Sequence, residues 1–290
     1  MRLELAWGYV RRTLLKTLRP GYVERMRQCR RGNSNGCPHE VLDPRDVKFY
    51  RNQGGYHWTA EDDPFRWRDR LPFVRVGLAE LLILGGGFFL LAAILGLVWW
   101  PLAVVPAAIG LEVVWFFRNP RRVPPAEPGL IIAPADGRVI AIEEIEEDFV
   151  GGPAVRIDIF LSVFNVHVNR APCESQVLAL GYRRGRFLNA MRPEANRENE
   201  RMEVRLEQTA APHRTLIVRQ IVGAIARRIV CWVSPGETLK RGEAFGMIKL
   251  GSRTELVLPR TPGLEIRTRV GERVRAGLTV MARYAEDQKE

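Results

Sequence analysis

A chain of 290 residues that is 46% hydrophobic and holds seven tryptophans can bury a sizeable core, which excludes a disordered or low-complexity polypeptide. Lysine and arginine number 44 against 33 aspartates and glutamates, a formal net charge of +11, so an anionic partner is expected. The arginines are scattered between apolar stretches and no nucleic-acid-binding motif stands out, so that partner is read as an anionic membrane surface and not nucleic acid. The cysteines, Cys29, Cys37, Cys173 and Cys231, lie far apart and follow no secretory signal, which predicts reduced thiols. Cys29, Cys37 and His39 match no zinc spacing and lack an evident fourth ligand, so no metal is expected.

At the N-terminus, Leu3, Leu5, Leu14, Leu15 and Leu18 are set among Arg2, Arg11, Arg12, Lys16 and Arg19, the pattern of a basic amphipathic helix lying on lipid. Gly21 to Pro72 is polar and reads as irregular or short helical structure. From Val76 to Phe117 the chain is almost wholly apolar, interrupted by Glu80 and Glu112. That length suits a hairpin of two membrane spans, the second short. Arg66, Arg68, Arg70 and Arg75 precede it and Arg118, Arg121 and Arg122 follow, so both flanks are expected at the cytoplasmic face, with Trp99 and Trp100 at the far turn. The competing reading is a buried core hairpin of a soluble protein, which the two acids would suit. Gly85-Gly86-Gly87, inside the apolar run, is expected to serve packing or flexibility and not phosphate binding.

Beyond Pro124-Pro125 the pattern changes to short strands, among them Leu130-Ile131-Ile132, Arg138 to Ile142, Val155 to Ile159 and Thr215 to Val218. Arg184 to Arg201 is long and polar, which predicts a functional flap. Val233-Ser234-Pro235-Gly236 to Gly242 is echoed by Arg269-Val270-Gly271 to Gly277, with the two glycines of each copy equally spaced. Each copy reads as strand, glycine turn and return strand, like half of a biotinyl or lipoyl hammerhead barrel. Gly251-Ser252 falls between them. The expected fold is α+β, a β-rich domain with barrel-like repeats preceded by a membrane helix hairpin, partitioned as 1–73, 74–118 and 119–290.

Gly-Ser alone is a common turn dipeptide. Placed between rigid hairpins, Ser252 could instead act as a nucleophile on the carbonyl of Gly251, whose missing side chain leaves the approach open. Asn165, His167 and Asn169 alternate with Phe164, Val166 and Val168 and so line one polar strand face, which makes His167 either a base or a structural histidine. Asp136, in Pro134-Ala135-Asp136-Gly137, reads first as a turn residue.

Four segments carry a resemblance: Ala133-Pro134-Ala135-Asp136-Gly137-Arg138-Val139; His167-Val168-Asn169-Arg170-Ala171-Pro172; Ile221-Val222-Gly223 through Trp232; and Phe245-Gly246-Met247-Ile248-Lys249-Leu250-Gly251-Ser252-Arg253. In this order, from about Phe116 to the C-terminus, the chain resembles the short-form phosphatidylserine decarboxylase proenzymes, which include relatives acting on archaeal lipids. The resemblance implies self-cleavage between Gly251 and Ser252, a pyruvoyl group formed from Ser252 as the cofactor without pyridoxal phosphate or metal, and conversion of phosphatidylserine to phosphatidylethanolamine. It further implies His167 as the base, Asp136 as the acid orienting it, and Arg201 and Asn169 as substrate contacts. The active form would be a heterodimer of large and small chains at the cytoplasmic face of the cell membrane, with further oligomerisation left open. Longer forms carry a second histidine where this chain has Arg170, which leaves open whether His167 serves processing, decarboxylation or both. The rival reading is a membrane-tethered biotinyl or lipoyl carrier modified at Lys249, which would need that lysine at an exposed hairpin tip.

Overall fold

The computed structural model describes residues 2–32, 41–47, 56–59, 61–192, 194–224, 228–249 and 251–285. Cys37 and His39 lie outside these residues, as do Leu250 and the 225–227 stretch of the Gly223–Trp232 motif. The chain divides into two compact units, Met1–Pro120 and Arg121–Glu290, and it mixes helix and strand.

In the first unit, helix α1 (Arg2–Leu18) stops where Pro20, which has no N–H to continue it, opens α2 (Pro20–Gln28). Two-residue strands β1 (Arg31–Gly32) and β2 (Tyr56–His57) pair antiparallel, and α3 (Pro44–Val47) is a single turn. The described residues between Gly21 and Pro72 are more ordered than their polarity suggests, because Met26, Leu42, Tyr56, Trp58 and Phe65 form a small core. The polar ends of its aromatics are satisfied inside it. Trp58 Nε1 donates to the Met26 carbonyl at 2.9 Å and the Tyr56 hydroxyl to that of Leu42 at 3.1 Å. Buried Arg75 closes the unit by donating to Asp43 (2.5 Å), Asp63 (2.6 and 3.0 Å) and Asp69 (2.9 Å).

From Arg75 the chain is helical to Val98, through α4 (Leu78–Glu80), a π turn over Leu81–Gly85 and α5 (Gly86–Val98). These 24 residues have a mean hydropathy of 2.6, enough by length and composition to cross a bilayer, and α6 (Val104–Phe116) returns as a shorter apolar helix. Leu82, Leu90, Leu97, Val98, Trp100, Val105 and Leu111 are exposed along these two helices.

The second unit is built from strands β3 (Leu130–Ile132), β4 (Gly137–Glu147), β5 (Gly152–Leu161), β6 (Val168–Arg170), β7 (Ser175–Arg183), β8 (Arg201–Gln208), β9 (Thr215–Val222) and β10 (Arg228–Cys231). After these come β11 (Thr238–Leu239), β12 (Ala244–Lys249), β13 (Ser252–Pro259), β14 (Leu264–Ile266), β15 (Arg273–Val274) and β16 (Val280–Tyr284), with one helical turn, α7 (Ala195–Glu198), between β7 and β8. An eight-stranded antiparallel sheet runs β11-β7-β8-β9-β13-β5-β4-β15, flanked by three-stranded sheets β10-β12-β6 and β14-β16-β3.

Internal duplication is written into the hydrogen bonds. Gly271 N–H donates to Val139 O and Val139 N–H to Glu272 O, while Gly236 donates to Val177 O and Val177 to Glu237 O. Gly277 and Gly242 likewise donate to the carbonyls of Ala133 and Ala171. The copies cross at their Ala-Pro steps, where Ile132 N–H meets Pro172 O and Arg170 N–H meets Pro134 O, both at 2.9 Å. Register shifts at Val139/Ala141 and Val177/Ala179 bend the sheet at equivalent points. Gly236, Gly242, Gly271 and Gly277 all have φ between 77° and 91°, a conformation that side-chain-bearing residues avoid, and this is why the repeat is visible as paired glycines.

Between the copies lies β13, central in the sheet and buried along its whole length. By strand alternation Ser252, Thr254, Leu256 and Leu258 share one face, and their cross-strand partners Leu161, Ile159, Ile157, Val222 and Val218 belong to the main core. Leu256 and Leu258 are fully buried, worth about 1.5–3 kcal/mol each. The other face of β13 carries Arg253 and Glu255 in an ion network with Asp158, Arg219, Glu203 and Glu147.

Candidate active site

Ser252 is the first residue of β13, held between Leu161 of β5 and Val222 of β9. It is wholly buried and its Oγ has no hydrogen-bond partner among the described residues. An unsatisfied buried hydroxyl costs about 1–3 kcal/mol, so its retention points to a use other than stability. Gly251 before it has φ +55°, a left-handed conformation that glycine adopts without a steric cost. Gly223, just past β9, faces the same peptide, for a Cβ there would lie 2.4 Å from the Gly251 carbonyl oxygen and 3.3 Å from Ala190 Cβ. The carbonyl next to the buried hydroxyl is thus seated against bare backbone.

His167 immediately precedes β6, whose Asn169 pairs with Gly246 of β12, and Ile248 N–H donates to the His167 carbonyl at 3.3 Å. Its ring Nδ1 lies 2.9 Å from the Asn165 carbonyl oxygen. A carbonyl can only accept, so in this assignment Nδ1 carries the proton and Nε2 the basic lone pair. His167 and Asn169 share a strand face, and Asn169 contacts Thr254, which stands on the Ser252 face of β13. Asn169 and Thr254, each two residues beyond His167 and Ser252, thus join β6 to β13.

Three of the residues singled out in the sequence make contacts other than the expected ones. Asp136, expected to orient His167, instead binds Arg122 with both oxygens (Nη1 to Oδ1; Nη2 to Oδ2, 2.8 Å) and accepts the Ala276 N–H at 2.7 Å. The reason is visible in Arg170. That guanidinium is buried beside Arg122 and Asp136 and donates to Gly242 O at 2.9 Å, and its pKa is lowered to about 10, by burial first and then by the Arg122 charge, against the pull of Asp136. Two buried cations claim the acid.

Asn169, expected to touch substrate, spends its amide on the scaffold. Nδ2 donates to Thr254 Oγ1 at 3.0 Å, and Oδ1 accepts from Gln220 Nε2 at 2.8 Å, tying β6 to β13 and β9. Arg201, expected at phosphate or carboxylate, pairs across the sheet with Ile221, which itself pairs with Arg253, so it stands on the face opposite Ser252. There it meets Glu203 at 3.1 Å and the Asn196 carbonyl at 3.1 Å, and burial lowers its pKa. Lys249, the lysine a carrier domain would expose, is buried in β12 opposite Arg228, which removes the carrier reading.

The sequence marks Asn199 only as part of Asn199-Glu200-Arg201, a segment resembling one of the family near the pocket, and gives it no role of its own. Asn199 is fully buried and its Nδ2 donates to Val222 O (2.8 Å) and Leu188 O (2.9 Å), while Oδ1 accepts from Leu188 N–H (2.9 Å). One amide thus clamps the long β7–β8 connection to the residue opposite Ser252. Gly223 was also missed, although a glycine ending an apolar strand inside a matched segment was a usable signal. Of the cysteines, Cys29, Cys173 and Cys231 are free thiols, and burial pushes Cys173 up to about 12, making it unreactive.

Comparison with known proteins gives the same direction. The family model described as phosphatidylserine decarboxylase matches residues 110–282. A phosphatidylserine decarboxylase proenzyme of Rhodopirellula baltica is 54% identical over 240 residues, covering 83% of this chain and 100% of that protein. Proteins of the same name from Carboxydothermus hydrogenoformans and Symbiobacterium thermophilum are 49% identical over 174 residues (60% of this chain, 80% of the relative) and 45% over 202 residues (69% and 92%). By these matches this chain belongs to the phosphatidylserine decarboxylase family.

Proposed function

We propose that the chain is a self-cleaving proenzyme that decarboxylates phosphatidylserine to phosphatidylethanolamine. The observation carrying this reading is the wholly buried Ser252 Oγ, without a hydrogen-bond partner among the described residues, directly after a left-handed glycine whose carbonyl rests on Gly223. In the first step Ser252 gives its proton to His167 Nε2 and Oγ bonds to the Gly251 carbonyl carbon. The Gly251–Ser252 C–N bond then breaks as the nitrogen takes up the proton, leaving an ester. Loss of the residue 252 α-proton expels the Gly251 carboxylate and leaves dehydroalanine, which takes up water and releases ammonia.

The residues present fit the resulting N-terminal pyruvoyl group, since position 252 is fixed between Leu161 and Val222, its surroundings exclude water, and Gly223 leaves room for the parted carbonyl. When present, such a group supplies a carbonyl that draws off the electrons released with carbon dioxide. His167 would hold a proton at Nε2 on the same side of the site. Asp136 is read as the counterion of Arg122 and Arg170, acting on the site only through the Ala-Pro crossing.

The apolar hairpin, residues 74–118, is proposed to span the membrane with both arginine-rich flanks on the cytoplasmic side, and residues 119–290 to form the catalytic domain. Support comes from the length and hydropathy of Arg75–Val98 and the exposure of its leucines. Carbonate washing should leave the chain in the membrane pellet; release into the supernatant would refute the span.

The test of the chemistry is mass spectrometry of the purified chains. The wild type should give a large fragment ending at Gly251 and a small one beginning at position 252 that is lighter than its serine form by ammonia. Ser252→Ala should leave one intact, inactive chain. An uncleaved wild type active on phosphatidylserine would sink the proposal.

A further inference from the structure

We propose that the end of the eight-stranded sheet carrying Ser252 is itself a bilayer-docking rim, in which Phe164, Phe187 and Met191 enter the lipid surface and neighbouring arginines meet anionic headgroups. It rests on the reading above only in taking the substrate to be a membrane lipid. The register puts the last residue of β5, Leu161, and the last of β9, Val222, beside the first of β13, Ser252. The paired ends of β7 and β8, Arg183 and Arg201, adjoin them in the same ladder. The turn after β5 and the β7–β8 connection therefore both leave the sheet at the Ser252 end.

The first of these loops carries Phe164, 63% exposed, and the second Phe187 and Met191, 41% and 59% exposed. These are the exposed phenylalanines and the exposed methionine of this unit among the described residues. The second loop is seated close to the site, since Ala190 faces Gly223 and Asn199 clamps Leu188 to Val222. Its apolar tips are nevertheless left uncovered.

Charge selects the occupant. Between Arg183 and Glu198 the connection exposes Arg183, Arg184, Arg186, Arg192 and Arg197 against Glu194 and Glu198. The β4–β5 hairpin, at the opposite end of the sheet, carries Glu143, Glu144, Glu146, Glu147 and Asp148. Apolar tips among arginines at one end, with acids at the other, match an anionic bilayer surface. A two-chain lipid does not leave the bilayer readily, while Ser252 is wholly buried. The headgroup can reach it only if the mouth lies against the membrane.

The experiment uses the full chain with Cys29 and Cys37 replaced by serine, labelled at Met191→Cys with a polarity-sensitive fluorophore and reconstituted in phosphatidylcholine vesicles with or without phosphatidylglycerol. A blue shift that grows with phosphatidylglycerol at this position, and not at a label on Glu146→Cys, supports the rim. Equal responses at both ends, or none at Met191→Cys, overturn it, whether or not the protein decarboxylates anything. Activity gives the second arm. Phe164→Ser/Phe187→Ser/Met191→Ser should still self-cleave and turn over a short-chain, water-soluble phosphatidylserine within about twofold of wild type, but lose about tenfold or more on vesicle phosphatidylserine. Arg192→Glu/Arg197→Glu, confined to exposed positions, should lower vesicle turnover and flatten its dependence on phosphatidylglycerol. Loss of both activities by the same factor, or of neither, would overturn the proposal. A wild type inactive on both substrates would refute the proposed function while the fluorescence arm still decides the rim.

Discussion

At Gly223 a single missing methyl group leaves room for the carbonyl of Gly251, whose peptide bond is the one proposed to be cut. Gly223→Ala would bring Cβ to 2.4 Å from Gly251 O, so the peptide must shift from the line of attack. Cleavage is expected to slow by about 100-fold, the scale of a misplacement near 1 Å, while the melting temperature moves little; unchanged cleavage kinetics by gel would refute this role. His167 and Asp136 should separate cleanly. His167→Ala removes the proton acceptor and should stop cleavage in a folded chain, whereas Asp136→Ala leaves Arg122 and Arg170 buried without their counterion and should cost about 3–5 kcal/mol of stability. A denaturant titration that finds Asp136→Ala as stable as wild type would contradict that assignment. Ser252, Gly251 and His167 stood out in the sequence because each sat in a matched segment with a chemical reason to be there. The Asp136 partner was not legible, since Arg122 lies in a stretch that reads only as a linker and finds the acid through the fold.

Along β13, two kinds of chemistry are kept apart by the alternation of a strand. Ser252 and Thr254 face the core, while Arg253 and Glu255 face an ion network. Burial, ahead of the Asp158 charge, holds the Glu255 carboxyl above its ordinary 4.5 despite Arg156, Arg219 and Arg253, and burial likewise raises Asp158 above 3.8. Folding then binds protons more tightly than the unfolded chain does. The contribution of these groups is fully present below their ordinary values and is lost as the pH climbs through the raised ones. Melting temperature should fall as pH rises from about 4.5, and Glu255→Gln should flatten that slope; a slope identical in the variant would exclude Glu255 as its source. The glycine turns of the repeat could be read from sequence because they need positive φ. Their partners, Leu130-Ile131-Ile132-Ala133-Pro134 and Val168-Asn169-Arg170-Ala171-Pro172, share only Ala-Pro, so the duplication of the first half emerged only from the hydrogen bonds.

For the molecule as a whole, the proposed cut falls inside one shared core. The fragment from Ser252 onward contributes the central strand between β5 and β9, along with β15 on β4 and β16 on β3. Cleaved protein should therefore unfold with dissociation, so its melting temperature should fall on dilution while that of Ser252→Ala stays constant. Concentration-independent melting of the cleaved form would show that the fragments stay together when unfolded. The two apolar helices of the first unit were legible from their long apolar run, whereas its small aromatic core was not, its members being spread from Met26 to Phe65 without a period. The seat of Ser252 between β5 and β9 also orders events in time. The hydroxyl meets Gly251 in a dry, fixed setting only after strands from both sides have closed on it, so the chain cannot be cut before it has folded. The proposed self-cleavage would then be a clock that starts at the end of folding, and a large and a small piece made as separate polypeptides would have to find each other without the tether that brought their strands into register.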